Sequence, residues 1–253
     1  MVIKSTKKNK KIPYHDKVIK KYNTLINSIH PELNNCNPII SGSNAIKLIY
    51  VPESTCSDVD IYFETEENFK AAQTLLSNNE TFNYETKNAI SFNNGKVQLI
   101  KKFFLPPQQL ILTHDLINVA CAISKEGIYT TQKTHYSWYM KELLLQKFQI
   151  PEDPSPEEYL IAIDNLINRI KKYLQRYNLS LSNSLKKFLH QQRDLLKTNN
   201  EIVFSYRTNE VHIDYYGNPI VEKSFSSKET LININNLLDV NSRPWSFDQE
   251  NFC

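Results

Sequence analysis

Apolar residues in the first third of the chain follow a helical period and then give way to alternation. From Tyr14 to Ile29 they fall at Val18, Tyr22, Leu25, Ile26 and Ile29, the spacing of three and four that one buried helix face requires. Pro38 to Ser41 reads as a short buried strand that ends at a Gly42-Ser43 turn, and Asn44 to Tyr50 as a helix entered from that turn. Asp58 to Phe63 alternates as a strand. Glu66 to Leu76 follows as a helix with Phe69, Ala72, Leu75 and Leu76 inward. From Phe82 the pattern shortens into strands over Phe82 to Thr86, Ala89 to Phe92 and Val97 to Lys101, the last two joined by an Asn93-Asn94-Gly95 turn. The apolar run from Asp115 to Ile123 reads as a further strand opened by an acid. Strands and helices mixed in this order predict an α+β fold, a mixed sheet flanked by helices.

Pro151, Pro154 and Pro156 mark a boundary beyond which the composition turns helical. Glu157 to Arg176 carries Leu160, Ile163, Leu166, Ile167, Ile170 and Leu174 on one stripe, and Asn183 to Leu196 follows after a Ser-rich break. Ile202 to Val221 alternates as a small β-hairpin around Gly217-Asn218-Pro219. No element is assigned past Lys223. The expected organisation is a basic arm over residues 1–12, a catalytic domain over 13–150, and a mainly helical C-terminal domain over 151–253. At 253 residues and 40% hydrophobic content, the chain is long enough to bury sizeable cores.

Composition removes several function classes. There are four glycines, Gly42, Gly95, Gly127 and Gly217, and none are spaced for the phosphate loops of P-loop or Rossmann proteins. Gly95, Gly127 and Gly217 sit in turn contexts, which leaves Gly42 as the place where a backbone could approach a ligand. Cys36, Cys56, Cys121 and Cys253 show no CxxC spacing, so a zinc site is not expected. No apolar stretch approaches the ~18 residues of a membrane span. The amino terminus is Lys-rich without an apolar signal core. The expectation is a reduced, cytoplasmic protein, of the cell or of an infected host. Net charge is only +3, but Lys4, Lys7, Lys8, Lys10 and Lys11 crowd one end, followed by Lys17, Lys20 and Lys21. Such a run is either a solvated tail or a nucleic-acid arm.

The chemistry concentrates in Ser57-Asp58-Val59-Asp60-Ile61-Tyr62-Phe63. On a strand, Asp58 and Asp60 project from one face while Val59 and Ile61 line the other. Two carboxylates held side by side repel, and without a cation one is pushed toward its neutral form. The pair therefore predicts a cradle for Mg²⁺ or Mn²⁺, which prefer carboxylate oxygen.

A strand, a Gly-Ser turn, a helix and a strand bearing paired acids, in that order over residues 37 to 123, resemble the nucleotidyltransferase superfamily of polymerase β, the poly(A) polymerases and the antibiotic nucleotidyltransferases. Gly42-Ser43 matches the family's Gly-Ser signature, and Asp58 and Asp60 match its paired metal-binding acids. Asp115 is the candidate third acid, and the strand Val97 to Lys101 before it resembles poly(A)-polymerase-like members. The sequence departs from the pattern at Asn44, after Gly-Ser, and at His114, before Asp115. The resemblance implies that Asp58, Asp60 and Asp115 hold metal and catalyse, that Gly42 and Ser43 contact the phosphates of an NTP, and that pyrophosphate leaves.

In the helical segment Arg169, Lys172, Tyr173 and Arg176 follow at spacings of three and four. This is either a solvated face or a wall over the nucleotide, with Lys172 or Arg176 on phosphate and Tyr173 on the base. The helix resembles that of phage and large-virus nucleotidyltransferase-like proteins. The expected activity is transfer of a nucleoside monophosphate from NTP to an acceptor hydroxyl, with an RNA end, such as tRNA, as the first acceptor. The alternatives are a toxin-like enzyme that places AMP on a protein side chain, a cyclic-dinucleotide synthase, and an inactive nucleic-acid- or partner-binding module.

Overall fold

The structure, a computed structural model, describes residues 2–6, 14–52, 58–150, 152–198, 203–206 and 223–239. The chain divides into two compact units, Met1–Met140 and Lys141–Cys253.

The first unit runs β1 (Val2–Ser5), α1 (His15–Ile29), β2 (Ile39–Ser41), α2 (Ser43–Ile49), β3 (Val59–Phe63), α3 (Glu66–Asn79), β4 (Phe82–Glu85), β5 (Ala89–Phe92), β6 (Val97–Phe104), α4 (Pro107–Leu110), β7 (Ala122–Ser124), β8 (Gly127–Thr131) and α5 (Gln132–Met140). Among the described residues, its eight strands form one mixed sheet in the order β1-β8-β7-β2-β3-β6-β5-β4. β3 and β6 are parallel, and the other pairs are antiparallel.

Alternation sets what each side of the sheet carries. Ile40, Ile61, Phe63 and Leu99 point to one side and are fully buried. α1 and α3 supply Tyr22, Ile26, Phe69 and Leu76 to the core, and Phe69 packs edge-on against Phe63. On the other side Ile39, Leu110, Ile111, Ala122 and Tyr129 form a second cluster with Tyr62 and Phe103. α3 starts where Thr65 Oγ1 accepts the Asn68 amide N–H at 3.3 Å, an ordinary N-cap.

Three sequence expectations change in this unit. Lys4 belongs to β1, paired with Tyr129 of β8, so the expected arm begins as an edge strand. Lys7, Lys8, Lys10 and Lys11 lie outside the described residues. Gly127 is more than a turn glycine, because a Cβ there would meet the Ser5 carbonyl oxygen at 2.3 Å; its missing side chain is what lets β1 approach β8. Asp115 is not at the head of a strand, since Ile117–Val119 is a 3₁₀ turn and β7 begins only at Ala122.

The second unit comprises β9 (Glu142–Leu143), α6 (Pro156–Tyr177), β10 (Ser180–Leu181), α7 (Asn183–Thr198), β11 (Val203–Tyr206), β12 (Lys223–Ser226) and α8 (Ser227–Asp239). The boundary lies ahead of Pro151 because β9 pairs in parallel with β10. α6 opens on a capping box, Ser155 with Glu158, which fixes its start. β11 and β12 pair antiparallel, while the expected Gly217-Asn218-Pro219 turn lies outside the described residues. α8 is a helix that periodicity did not assign; it is polar overall and buries Ile234 and Leu237. No helix among the described residues is long and apolar enough to cross a membrane.

Candidate active site

One end of the sheet collects the residues that the sequence singled out. β2 ends at Ser41 and runs antiparallel to β3, with Ile40 opposite Ile61 and Ile39 opposite Tyr62. That register brings the start of β3, with Asp58 and Asp60, beside the Gly42 turn. On the other flank β2 pairs with β7, and the 114–115 segment reaches the same turn.

The turn itself needs glycine. Gly42 has φ 67° and ψ −136°, a backbone that residues with a Cβ adopt only under strain. Its carbonyl accepts the Ile46 amide at 3.0 Å as the first bond of α2. Ser43 and Asn44 are buried directly behind it. Asn44 departs from the family pattern, and the structure shows what it does there. Its Nδ2 donates to the Asp58 carbonyl oxygen at 2.6 Å and ties α2 to the strand that bears the acids.

Asp58 and Asp60 are half-buried, whereas Ile61 between them and the helices is fully buried. Gln98, which lies opposite Asp60 in the parallel pairing, donates from Nε2 to Asp58 Oδ2 at 3.3 Å. The two carboxylates therefore share the Gln98 face of the sheet and stay partly open to solvent.

The other flank is closed. Ser41 Oγ donates to the Cys121 carbonyl oxygen at 2.8 Å. A hydroxyl has one proton to give, so the 2.8 Å contact between Ser41 Oγ and His114 Nε2 requires the ring nitrogen to donate. His114 is thus fixed as the Nε2–H form, with Cε1 3.8 Å from where a Cβ on residue 42 would stand. Asp115 is 6% exposed, and its Oδ1 accepts the Leu116 amide at 2.8 Å. Behind this segment Trp138 Nε1 donates to the Asn118 carbonyl at 2.9 Å and the indole stacks on Tyr50. The Tyr50 hydroxyl lies 2.9 Å from His135 Nδ1. Burial holds His135 below its ordinary pKa and pushes the Cys121 thiol and the Tyr50 hydroxyl up.

Asp58, Asp60 and Asp115 do not gather into a three-ligand metal centre: among the described residues no group of three or more His, Cys, Asp or Glu is placed to hold an ion. The remaining pair still suits a hard cation, because Mg²⁺ is commonly held by one or two carboxylates with water and substrate phosphates completing its shell. Ser41, Gln98 and His114 are site-forming residues that the sequence reading gave no role; Gln98 was detectable as the polar break in the alternation of Val97 to Lys101.

The candidate residues of the second unit are placed differently from expectation. Tyr173 is 5% exposed and stacks on Tyr177, so it lies on the buried face of α6 with Ile170 and Leu174, not on a solvated stripe. The three-and-four spacing from Arg169 extends to this core edge. Arg176 is half-buried and Lys172 exposed. A cleft of about 450 Å³ in the first unit, lined by Asn37, Glu64, Thr65, Pro107 and Lys125 among others, lies at the opposite ends of β2 and β3 and is separate from the Gly42 turn.

The fold is that of nucleotidyltransferases. A CCA-adding enzyme in complex with ATP superimposes with a TM-score of 0.53 at 12% identity, covering 74% of this chain and 46% of the other. The CTP complex of a CCA-adding enzyme gives 0.53 at 12%, over 74% and 47%. The Thermotoga maritima CCA-adding enzyme complexed with tRNA gives 0.51 at 10%, over 92% and 57%. The chain spans about half the length of these structures. No curated protein matches it in sequence. In sequence, residues 3–142 match the family described as Gabija anti-defense 2 family protein.

Proposed function

The chain belongs to the Gabija anti-defense 2 family, and from the geometry of its first unit we propose that it is a metal-dependent nucleotidyltransferase. The reaction moves a nucleoside monophosphate from an NTP to an acceptor hydroxyl and releases pyrophosphate. The observation that carries this reading is the convergence of the Gly42 turn with Asp58 and Asp60 at one sheet end, on a fold shared with CCA-adding enzymes.

Asp58 and Asp60 would hold Mg²⁺ or Mn²⁺, which when bound neutralises the triphosphate and activates the acceptor oxygen. Gly42 leaves the backbone bare where the outer phosphates approach, and Ser43 opens α2 beside it. Asn44 keeps Asp58 in register with that turn. Asp115 and His114 form the far wall, buried beside the Gly42 turn. In the second unit Tyr173 is buried on α6, the helix that also carries Lys172 and Arg176.

A description as an anti-defence protein favours a hydroxyl on a component of the opposed defence system, a protein side chain before any other, and this is the enzyme of the toxin or effector type. The second reading, an RNA end, is favoured by likeness to an enzyme solved with tRNA. Incubation with each α-³²P-labelled NTP, Mg²⁺ and a lysate containing the defence system separates them. Label on a discrete protein band that survives ribonuclease supports the first reading. Label lost to ribonuclease supports the second, and no transfer from any NTP rejects both.

A further inference from the structure

Gln98 stands between two side chains that each need its amide. On one side its Nε2 donates to Asp58 Oδ2 at 3.3 Å, beyond the usual 2.7–3.2 Å range for such a bond. On the other side lies Ser91, directly opposite it in the β5–β6 pairing. Ser91 is 0% exposed, and its hydroxyl is buried without a hydrogen-bond partner. A buried hydroxyl left unpaired is destabilising and calls for an explanation. Cross-strand neighbours sit roughly 4.5–5.5 Å apart at Cβ, within reach of a glutamine side chain that changes rotamer.

We propose that Gln98 is a positioning residue with two settings. With no cation at the acidic pair, its N–H end faces the Asp58 carboxylate and Ser91 goes unpaired. When a divalent cation takes up Asp58, the positive end of the amide would face a positive charge. The side chain then swings away from Asp58 toward Ser91, and Gln98 Oε1 accepts the proton of Ser91 Oγ. The unpaired hydroxyl is thus a partner kept for the metal-loaded state, and it shifts part of the cost of loading onto the empty state. This rests on the metal reading of Asp58 and Asp60 given above.

The test uses the full chain, Mn²⁺ binding followed by electron paramagnetic resonance, and thermal melting. Ser91→Ala removes the unpaired group from the empty state, so the metal-free variant should melt higher, by roughly 2–4 °C. The same variant should bind Mn²⁺ about tenfold more weakly, within the range for loss of an outer-shell partner. Opposite signs in the two readouts are what a merely structural serine would not give. Gln98→Met should also weaken Mn²⁺ binding, and adding Ser91→Ala in that background should change affinity no further. Wild-type affinity in Ser91→Ala, or a lower metal-free melting point, overturns the two-setting amide. Asp58→Asn separates the levels: undiminished Mn²⁺ binding in that variant overturns the metal site itself and the proposal with it, whereas weakened binding there with normal binding in Ser91→Ala overturns the proposal alone.

Discussion

The two flanks of the Gly42 turn carry acids of opposite character. On the β3 flank, Asp58 and Asp60 are half-buried, and Asp58 is touched by a long bond from Gln98. On the 114–115 flank, Asp115 is almost wholly buried, and one of its oxygens already accepts the neighbouring Leu116 amide. The first flank leaves its carboxylates half-exposed at a strand end, where a hydrated cation can approach. The second uses its acid within a wall braced by Ser41, His114 and the Trp138–Tyr50 stack. A carboxylate's access to metal is set by how deeply the fold buries it, and spacing along the chain does not report that.

The sharpest way to break this contrast is to neutralise the open flank. Asp58→Asn or Asp60→Asn should lower turnover by about a thousandfold or more, equivalent to about 4 kcal/mol of barrier at ~1.4 kcal/mol per tenfold. Circular dichroism should be unchanged, and a rate near wild type with normal Mg²⁺ dependence would contradict the assignment.

Loosening the same flank without touching its charge should have a smaller effect. Asn44→Ala deletes the 2.6 Å bond to the Asp58 carbonyl and should destabilise the protein by about 1–2 kcal/mol, read from denaturant midpoints. Turnover should fall with it, and Asn44→Asp, which cannot donate, should not rescue it.

On the closed flank, Asp115→Asn keeps an oxygen that can accept the Leu116 amide, so stability should change by less than about 1 kcal/mol. Its loss of turnover should be at least tenfold smaller than that of Asp58→Asn. Equal losses would show that Asp115 acts with the β3 pair as a metal ligand.

The smallest effect concerns the brace behind Asp115. Burial holds His135 below its ordinary value of 6.5. Below that pH the unfolded chain takes up a proton more readily than the folded one. Stability should therefore fall as pH drops through about 6.5 and level off below the folded pKa. His135→Gln should flatten that slope, and an unchanged slope would assign it elsewhere.

The same contrast explains what could be read in advance. β3 and β6 were legible because a half-exposed strand alternates, and Asp58 and Asp60 stood out as charges at every second place in an apolar run. Asp115 was found, but its setting was misjudged: the apolar run to Ile123 is buried all round, and periodicity cannot tell such a segment from a strand when it holds a 3₁₀ turn. Tyr173 misled for a related reason. On an amphipathic helix a residue three or four from an arginine can fall on either edge of the buried stripe, and an amphipathic tyrosine fits both. β1 was hidden because Val2–Ser5 is short and Lys-containing, and its pairing depends on the bare Gly127 backbone across from it. Ser41, Gln98 and His114 act through contacts between distant strands, which one sequence does not display.

The most direct measurement is a crystal structure of the chain soaked with Mn²⁺ and a non-hydrolysable NTP analogue. The account predicts an anomalous peak at the Asp58 and Asp60 carboxylates, with the triphosphate lying against Gly42 and Ser43. Manganese bound elsewhere, or a triphosphate seated away from the Gly42 turn, would contradict it.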